Sequence, residues 1–378
     1  MTDDEYRQNN AEPEMTAADT LEQTDKKCPA CGGTLDFDPK TGALLCSYCG
    51  AVVEIETDTP LRAEELDFDE AEIVGSCDWG AEKRVVICKS CGAETIYDAA
   101  TVSGECPYCG SNQVMEAGDT KTMAPGGVCP FKLTEEDAGG RFLGWLKKKL
   151  FCPSAAKKSA KAGKMRGVYL PYWTFDTDTD SSYTARYGRQ RVVKRGKSTH
   201  VVTDWYHTSG TYHEFINDEL VSGTERHDEA MLSGVAPFDT ENNVAYKPEY
   251  VAGFASERYS VGLKAAWERA KRFIKDRLTG RITAKIKHDH HADLVSNLNV
   301  KTVYRNITYK YLMLPVWMSS FVYKGKVYHF MVNGQTGKVS GKAPISPLRV
   351  AIAIFIGIVI VGLLAVLVLG GDPEIMYY

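Results

Sequence analysis

The chain has 378 residues, 45 Lys+Arg against 49 Asp+Glu, a formal net charge of −4, 11 Cys and 10% aromatic residues. That length holds two or three domains. The mild acidity argues against nucleic-acid binding through net charge alone, and the aromatic content excludes disorder throughout.

Residues 1–27 form a polar, acidic leader with little to bury, expected to be disordered, and without a signal or transit segment. Two Cys-rich units follow, at 28–53 and 83–116. The first reads Cys28-Pro-Ala-Cys31, fourteen residues, then Cys46-Ser-Tyr-Cys49; the second reads Cys88-Lys-Ser-Cys91, fourteen residues, then Cys106-Pro-Tyr-Cys109. Glycine follows every pair, at Gly32, Gly50, Gly92 and Gly110. A CxxC turn sets two thiolates on one side of a tight knuckle, and the glycine accepts the left-handed backbone that aims amides at sulfur. Two knuckles make a closed cage of four sulfurs, which suits a structural zinc ion and leaves no catalytic position. Rubredoxin-type iron uses the same spacing and stays open. Each unit is too small to fold on apolar burial alone, so the metal supplies folding free energy. Cys77, Cys129 and Cys152 are left as ordinary thiols.

Between the ribbons, Glu54 to Glu72 sets nine carboxylates against Arg62, so 54–82 reads as a solvated acidic linker. This field is wrong for phosphate.

From 128 to 344 the chain becomes globular. An amphipathic helix is expected near Glu135–Leu150, with Phe142, Leu143, Leu146 and Leu150 on one face. A second runs from Leu263 to Leu278 with a stripe of Leu263, Ala266, Trp267, Ala270, Phe273, Ile274 and Leu278, ended by Gly280. Hairpins are expected at Arg191–Lys194 with Thr199–Tyr206 and at Ser320–Lys324 with Lys326–Val332, and a tight turn at Asn333–Gly337. Leu170-Pro171-Tyr172-Trp173 is echoed by Leu314-Pro315-Val316-Trp317, which points to two related halves of an α+β domain rich in antiparallel strands. Arg141 to Arg166 carries nine Lys/Arg and no acid; it reads either as a solvated face or as a surface lying on an anionic leaflet.

No catalytic motif stands in a suitable context. Gly196-Lys197-Ser198-Thr199 lacks the upstream P-loop glycine, since position 191 is arginine. His288-Asp289-His290-His291 reads as a polar loop, and His207 and His213 as ordinary strand histidines. The chain is therefore read as a non-enzyme.

The last feature is Val350–Leu369, twenty uncharged residues, long enough to cross a hydrocarbon core of about 30 Å as a helix. The mean hydropathy of −0.27 conceals it. A nine-residue tail, 370–378, follows. Lys338, Lys342 and Arg349 precede the span and Asp372 and Glu374 follow it, so the bulk of the chain is expected in the cytoplasm, single-pass and tail-anchored. Cytoplasmic reduction argues against a disulfide framework. Ala353 and Gly357 give a small-xxx-small spacing, which does not fix an oligomeric state.

Asp78-Trp79-Gly80, the second ribbon through Gly110-Ser111, Pro130-Phe131-Lys132, Leu170–Trp173 and Asn333–Lys338 together resemble bacterial membrane proteins with paired zinc ribbons. That family is often labelled primosomal protein N′/helicase-like or phage replication-like. The helicase label finds no P-loop here. The resemblance implies a membrane protein beside SPFH (flotillin-like) and phage-shock-type proteins, recruiting soluble partners in envelope stress or membrane organisation. The expectation is thus a membrane scaffold with two structural zinc ions, at Cys28/Cys31/Cys46/Cys49 and Cys88/Cys91/Cys106/Cys109. The competing expectation is a membrane-tethered nucleic-acid-associated protein in replication or plasmid maintenance, which the acidic surroundings of the ribbons disfavour.

Overall fold

The computed structural model describes residues 28–55, 62–69, 83–88, 94–98, 114–116, 125–160, 165–195, 198–257 and 259–369. The leader, most of the linker, Cys77 and the tail 370–378 lie outside these residues. The chain is mixed α+β and divides into two compact units, neither continuous in sequence: 1–130, 168–226 and 239–314 form the first, and 131–167, 227–238 and 315–378 the second.

The first unit opens with a three-stranded antiparallel sheet, β1 (Leu35–Asp38), β2 (Ala43–Cys46) and β3 (Val52–Val53). Leu35, Phe37 and Leu44 fill its small core. The body of the unit is a larger sheet built on very long strands. β9 (Arg166–Arg195) and β10 (Ser198–Ser222) form one antiparallel hairpin, in unbroken register from Ser198↔Arg195 to Ile216↔Thr177. The hairpin expected at Arg191–Tyr206 is the end of this much longer ribbon. β13 (Leu294–Tyr323) borders β9 on the other side. Short strands complete the sheet: β4 (Leu66–Asp67), β8 (Gly127–Val128), β11 (Val244–Ala245) and β12 (Ala255–Glu257), with β5 (Lys83–Cys88), β6 (Glu94–Asp98) and β7 (Val114–Glu116) traced in backbone.

The helix expected to stop at Gly280 instead continues to Asp289. The reason is its stripe: Ala266, Ala270, Ile274 and Leu278 are followed at the same four-residue step by Ile282 and Ile286, all buried. Ile282 and Ile286 pack on Tyr183 and Ala185 of β9. Burying that stripe outweighs the roughly 1 kcal/mol that a mid-helix glycine costs. Phe273, expected in the stripe, is exposed.

The linker also departs from expectation. Residues 62–69 are not simply solvated. β4 pairs with β13, Tyr309↔Leu66 and Thr308↔Asp67. Ala63 is buried, its amide donating to Asn243 Oδ1 at 2.8 Å. The Phe68 ring meets Trp267 at 5.8 Å and Phe175 at 6.3 Å. Two aromatic partners and a buried amide outweigh the acidic composition.

The second unit is built on α1 (Glu135–Lys148), α2 (Ser154–Ser159), α3 (Glu229–Val235), the end of β13, β14 (Lys326–Asn333), β15 (Val339–Gly341) and α5 (Pro347–Leu369); the long helix of the first unit, Leu263–Asp289, is α4. Thr134 starts α1 with a capping box closed by Asp137. Phe142 of α1 stacks on Phe330 of β14 at 3.6 Å, and Phe131 lies 4.9 Å from Trp317. The β13–β14 turn uses Lys324 and Gly325, both at positive φ, as a tight two-residue hairpin requires. Asn333 closes the next turn, its Oδ1 accepting from the amides of Gln335 and Thr336.

The four-residue echo is structural. In the first unit Trp173 Nε1 donates to Val261 O at 2.9 Å, Gly223 N donates to Pro171 O at 2.8 Å, and the amides of Ser260 and Val261 both donate to Gly223 O. In the second, Trp317 Nε1 donates to Leu133 O at 3.0 Å, Gly334 N donates to Pro315 O at 2.9 Å, and the amides of Lys132 and Leu133 both donate to Gly334 O. The same knot is tied twice, and each time a helix follows, α4 or α1. The short parallel strands are exchanged: β12 pairs with β9 and β8 with β13, each two residues before the Leu-Pro step.

Candidate metal centre

The two knuckles of the first ribbon are built alike. Cys28 O accepts from Gly32 N at 2.8 Å while Cys28 N donates to Gly33 O at 2.7 Å; Cys46 O accepts from Gly50 N and Cys46 N donates to Ala51 O, both at 2.9 Å. Gly32 (φ 74°) and Gly50 (φ 75°) hold the left-handed conformation that closes each turn. The β1–β2 pairing, Leu35↔Cys46 among its registers, brings the knuckles together.

Cys28 Sγ lies 3.5 Å from Cys49 Sγ and Cys31 Sγ 3.6 Å from Cys46 Sγ, and all four sulfurs fall within 4.8 Å of one another. Ligands at about 2.3 Å in a tetrahedron have edges of about 3.8 Å, so the donor set fits one zinc ion. The amides of Cys49 and Tyr48 draw the Cys46 thiol down to about 7. At Cys31 the Gly33 amide acts the same way, but the crowding sulfurs of Cys49 and Cys46 push the thiol up to about 12. Four sulfurs this close cannot all ionise without a cation between them. Cys28 and Cys46 are buried while Cys31 and Cys49 are exposed, and Tyr48, between the last two cysteines, is 79% exposed. Phe37 N donates to Ala252 O at 3.2 Å and its ring meets Tyr250 at 5.8 Å, which joins the ribbon to the rest of the first unit.

Of the second set, Cys88 ends the backbone of β5. Its thiol and Cys91, Cys106 and Cys109 lie outside the described residues. Cys129 and Cys152 are buried, as ordinary thiols would be. His213 is exposed beside Asp180. Of the expected polar loop His288–His291, His288 and Asp289 are the last residues of the long helix, while His290 caps it and lies in the turn, its ring stacked on Tyr187 at 4.2 Å and its Nε2 3.0 Å from Thr208 Oγ1.

Two features carried no sequence signal. One is a polar cluster in the first unit. Lys310 Nζ sits 2.8 Å from Glu65 and 2.9 Å from Asp218, and Asp218 N donates to Asp176 Oδ1 at 2.7 Å. Burial lifts the Asp176 carboxyl to about 6, against the pull of the Asp218 amide and Lys310. Its partner Glu65, despite some burial, is held below its ordinary range by Lys310 and Thr308. The other is the outer edge of β10. Among the described residues β10 pairs with β9 alone. It has no Lys, Arg or Pro in its length, and its register is unbroken until the bulge at Asp218 (φ 49°).

The α5 helix has 23 residues; its window Pro347–Ala365 has a mean hydropathy of 2.7, with nothing buried. It is long and apolar enough to span a membrane.

A protein of Bacillus subtilis strain 168, called uncharacterized protein YdjG, is 29% identical to this chain over 331 residues, covering 86% of this chain and 91% of the relative. No protein-family model matches the chain. No solved structure matches it.

Proposed function

We propose that this chain is a membrane-anchored scaffold that recruits protein partners. α5 is its anchor, the cysteine knuckles are zinc-held structural modules, and the exposed edge of β10 is a docking strand. The observation that carries this reading is the β10 edge. Soluble proteins protect such edges with lysine, proline, bulges or cover. From Ser198 to Ile216 this one has none of the first three. Such an edge offers backbone donors and acceptors to an extended segment of another chain. The family resemblance proposes SPFH (flotillin-like) proteins as the partner class and the cytoplasmic leaflet as the site.

Crosslinking in native membranes with mass spectrometry tests this. The expected result is partner crosslinks concentrated on 198–216; crosslinks that avoid β10 altogether overturn the docking role. Metal analysis of the purified chain is expected to give two zinc ions, falling to one in Cys28→Ser/Cys31→Ser and to one in Cys88→Ser/Cys91→Ser. Two ions retained in the second variant refute the second site. The nucleic-acid reading draws on the basic end of β9, Arg189, Arg191 and Lys194. There Arg191 is paired with Asp204 and Arg189 donates to His290 O, so both guanidiniums are already engaged within the protein. A salt-dependent DNA shift by the full chain would reverse the ranking.

A further inference from the structure

The basic stretch 141–166 resolves into parts with different work. α1 ends at Lys148, and the turn to α2 is fixed to the first turn of α5. Ser346 N donates to Phe151 O at 2.9 Å. The Arg349 guanidinium donates to Leu150 O at 3.0 Å, to Cys152 O at 2.8 Å and to Ser154 Oγ. All these residues belong to the second unit. Arg349 therefore spends its donors inside the protein. Two lysines are also engaged: Lys157 Nζ donates to Lys147 O at 2.7 Å, and Lys149 Nζ lies 4.6 Å over the Trp145 ring.

Lys147, Lys148 and Lys158 remain exposed. So do apolar residues that a soluble surface would bury: Leu150 at 79%, Phe151 at 43% and, on the approach to α5, Leu348 at 70%. Ser346 stands four residues before Val350, about 6 Å along a helix axis from the start of the uncharged segment. The turn it holds is thus at the level where headgroups meet hydrocarbon. From Ala138 to Arg166 there is no acidic residue. Favourable interaction with the α1 dipole accounts for Lys147 and Lys148 in the last turn. It does not account for Lys158, nor for Leu150 and Phe151 facing water.

We propose that the α1–α2 turn is an anionic-phospholipid site, with Lys147, Lys148 and Lys158 meeting headgroup phosphates and Leu150 and Phe151 entering the upper acyl region. Basic residues beside a span attract anionic lipid, and aromatic and apolar side chains settle at the interface below them. Arg349 is a positioning residue that holds the turn against the span. The site rests on the reading of α5 as a membrane anchor.

The test places a benzophenone photocrosslinker at position 150, and separately at position 355 within the span. The full chain is reconstituted in nanodiscs of mixed phosphatidylcholine and phosphatidylglycerol. Lipid adducts are then counted by mass spectrometry. The ratio of phosphatidylglycerol to phosphatidylcholine adducts at 150 is expected to exceed that at 355 about fivefold, the preference that one lysine–headgroup contact of about 1 kcal/mol gives. The excess should vanish in Lys147→Gln/Lys148→Gln/Lys158→Gln. Equal ratios at both positions, or adducts at 355 with none at 150, overturn the site while leaving the anchor intact. Absence of lipid adducts at 355 overturns the anchor and the site with it.

Discussion

The two knots, one in each unit, share every backbone contact described above and differ in what surrounds them. Beyond Trp173 the hairpin is bulged at Asp218 and buries Asp176, with Lys310 as counter-charge. Beyond Trp317 the hairpin pairs without a bulge, and the corresponding positions, Ser320 and His329, face each other and are exposed. The repeated part is thus a backbone device, a Leu-Pro step and a glycine held by a tryptophan and two amides. The side chains beyond it differ, one copy carrying a buried ionic cluster and a long ribbon, the other a short hairpin leading to α5.

The comparison is broken most strongly by removing the feature that only one copy has. Lys310→Met leaves Glu65 and Asp218 without their cation and is expected to cost about 3–5 kcal/mol in urea unfolding. A loss below about 1 kcal/mol would mean that the cluster is solvated. Next comes the shared glycine. An added Cβ at Gly334 would stand 2.5 Å from the Phe131 ring, whereas at Gly223 it meets Pro171 O at 3.0 Å. Alanine is therefore expected to cost about 3 kcal/mol at 334 and about 1 kcal/mol at 223. Equal losses would show that the second core relaxes as readily as the first. Replacing either tryptophan by phenylalanine strands one carbonyl, Val261 O or Leu133 O, at about 1–2 kcal/mol each by thermal melting. The larger loss is expected at the more buried Trp173.

The smallest effect is a gain. The Asp176 carboxyl is lifted from 3.8 to about 6, so the folded chain holds this proton more tightly than the unfolded chain does. Its contribution is favourable when protonated and is lost as pH rises from 3.8 through 6. Asp176→Asn, whose Oδ1 can still accept from Asp218 N, should raise stability above that window and flatten the slope within it. An unchanged pH profile would assign the slope elsewhere.

Local chemistry was legible in sequence and distant company was not. The CxxCG knuckles announce Cys28, Cys31, Cys46 and Cys49 because ligand spacing and glycine conformation are both local. The same is true of the Lys324-Gly325 turn, of Phe142 and Leu146 in α1 and of the apolar α5, whereas Leu150, expected on the same face of α1, lies past its end and is exposed. Gly280 alone does not reveal the full extent of α4, because the buried stripe that outweighs it continues to Ile286. Glu65, Asp176, Asp218 and Lys310 are scattered along the chain, and no periodicity could join them. Likewise the Leu-Pro echo is visible in sequence, but the exchange of β8 and β12 between its copies is a matter of pairing.

The connection from β15 to α5 is short and bonded at both ends. Lys342 N donates to His329 O at its start, Ser346 N to Phe151 O at its end, and Arg349 locks the helix one step later. These bonds hold the first turn of the helix against the second unit. If α5 crosses a bilayer, any tilt imposed by bilayer thickness becomes a rotation of that unit as a rigid lever. A flexible tether would report only that a membrane is present, whereas a joint bonded in this way would also transmit the angle at which the helix lay in it.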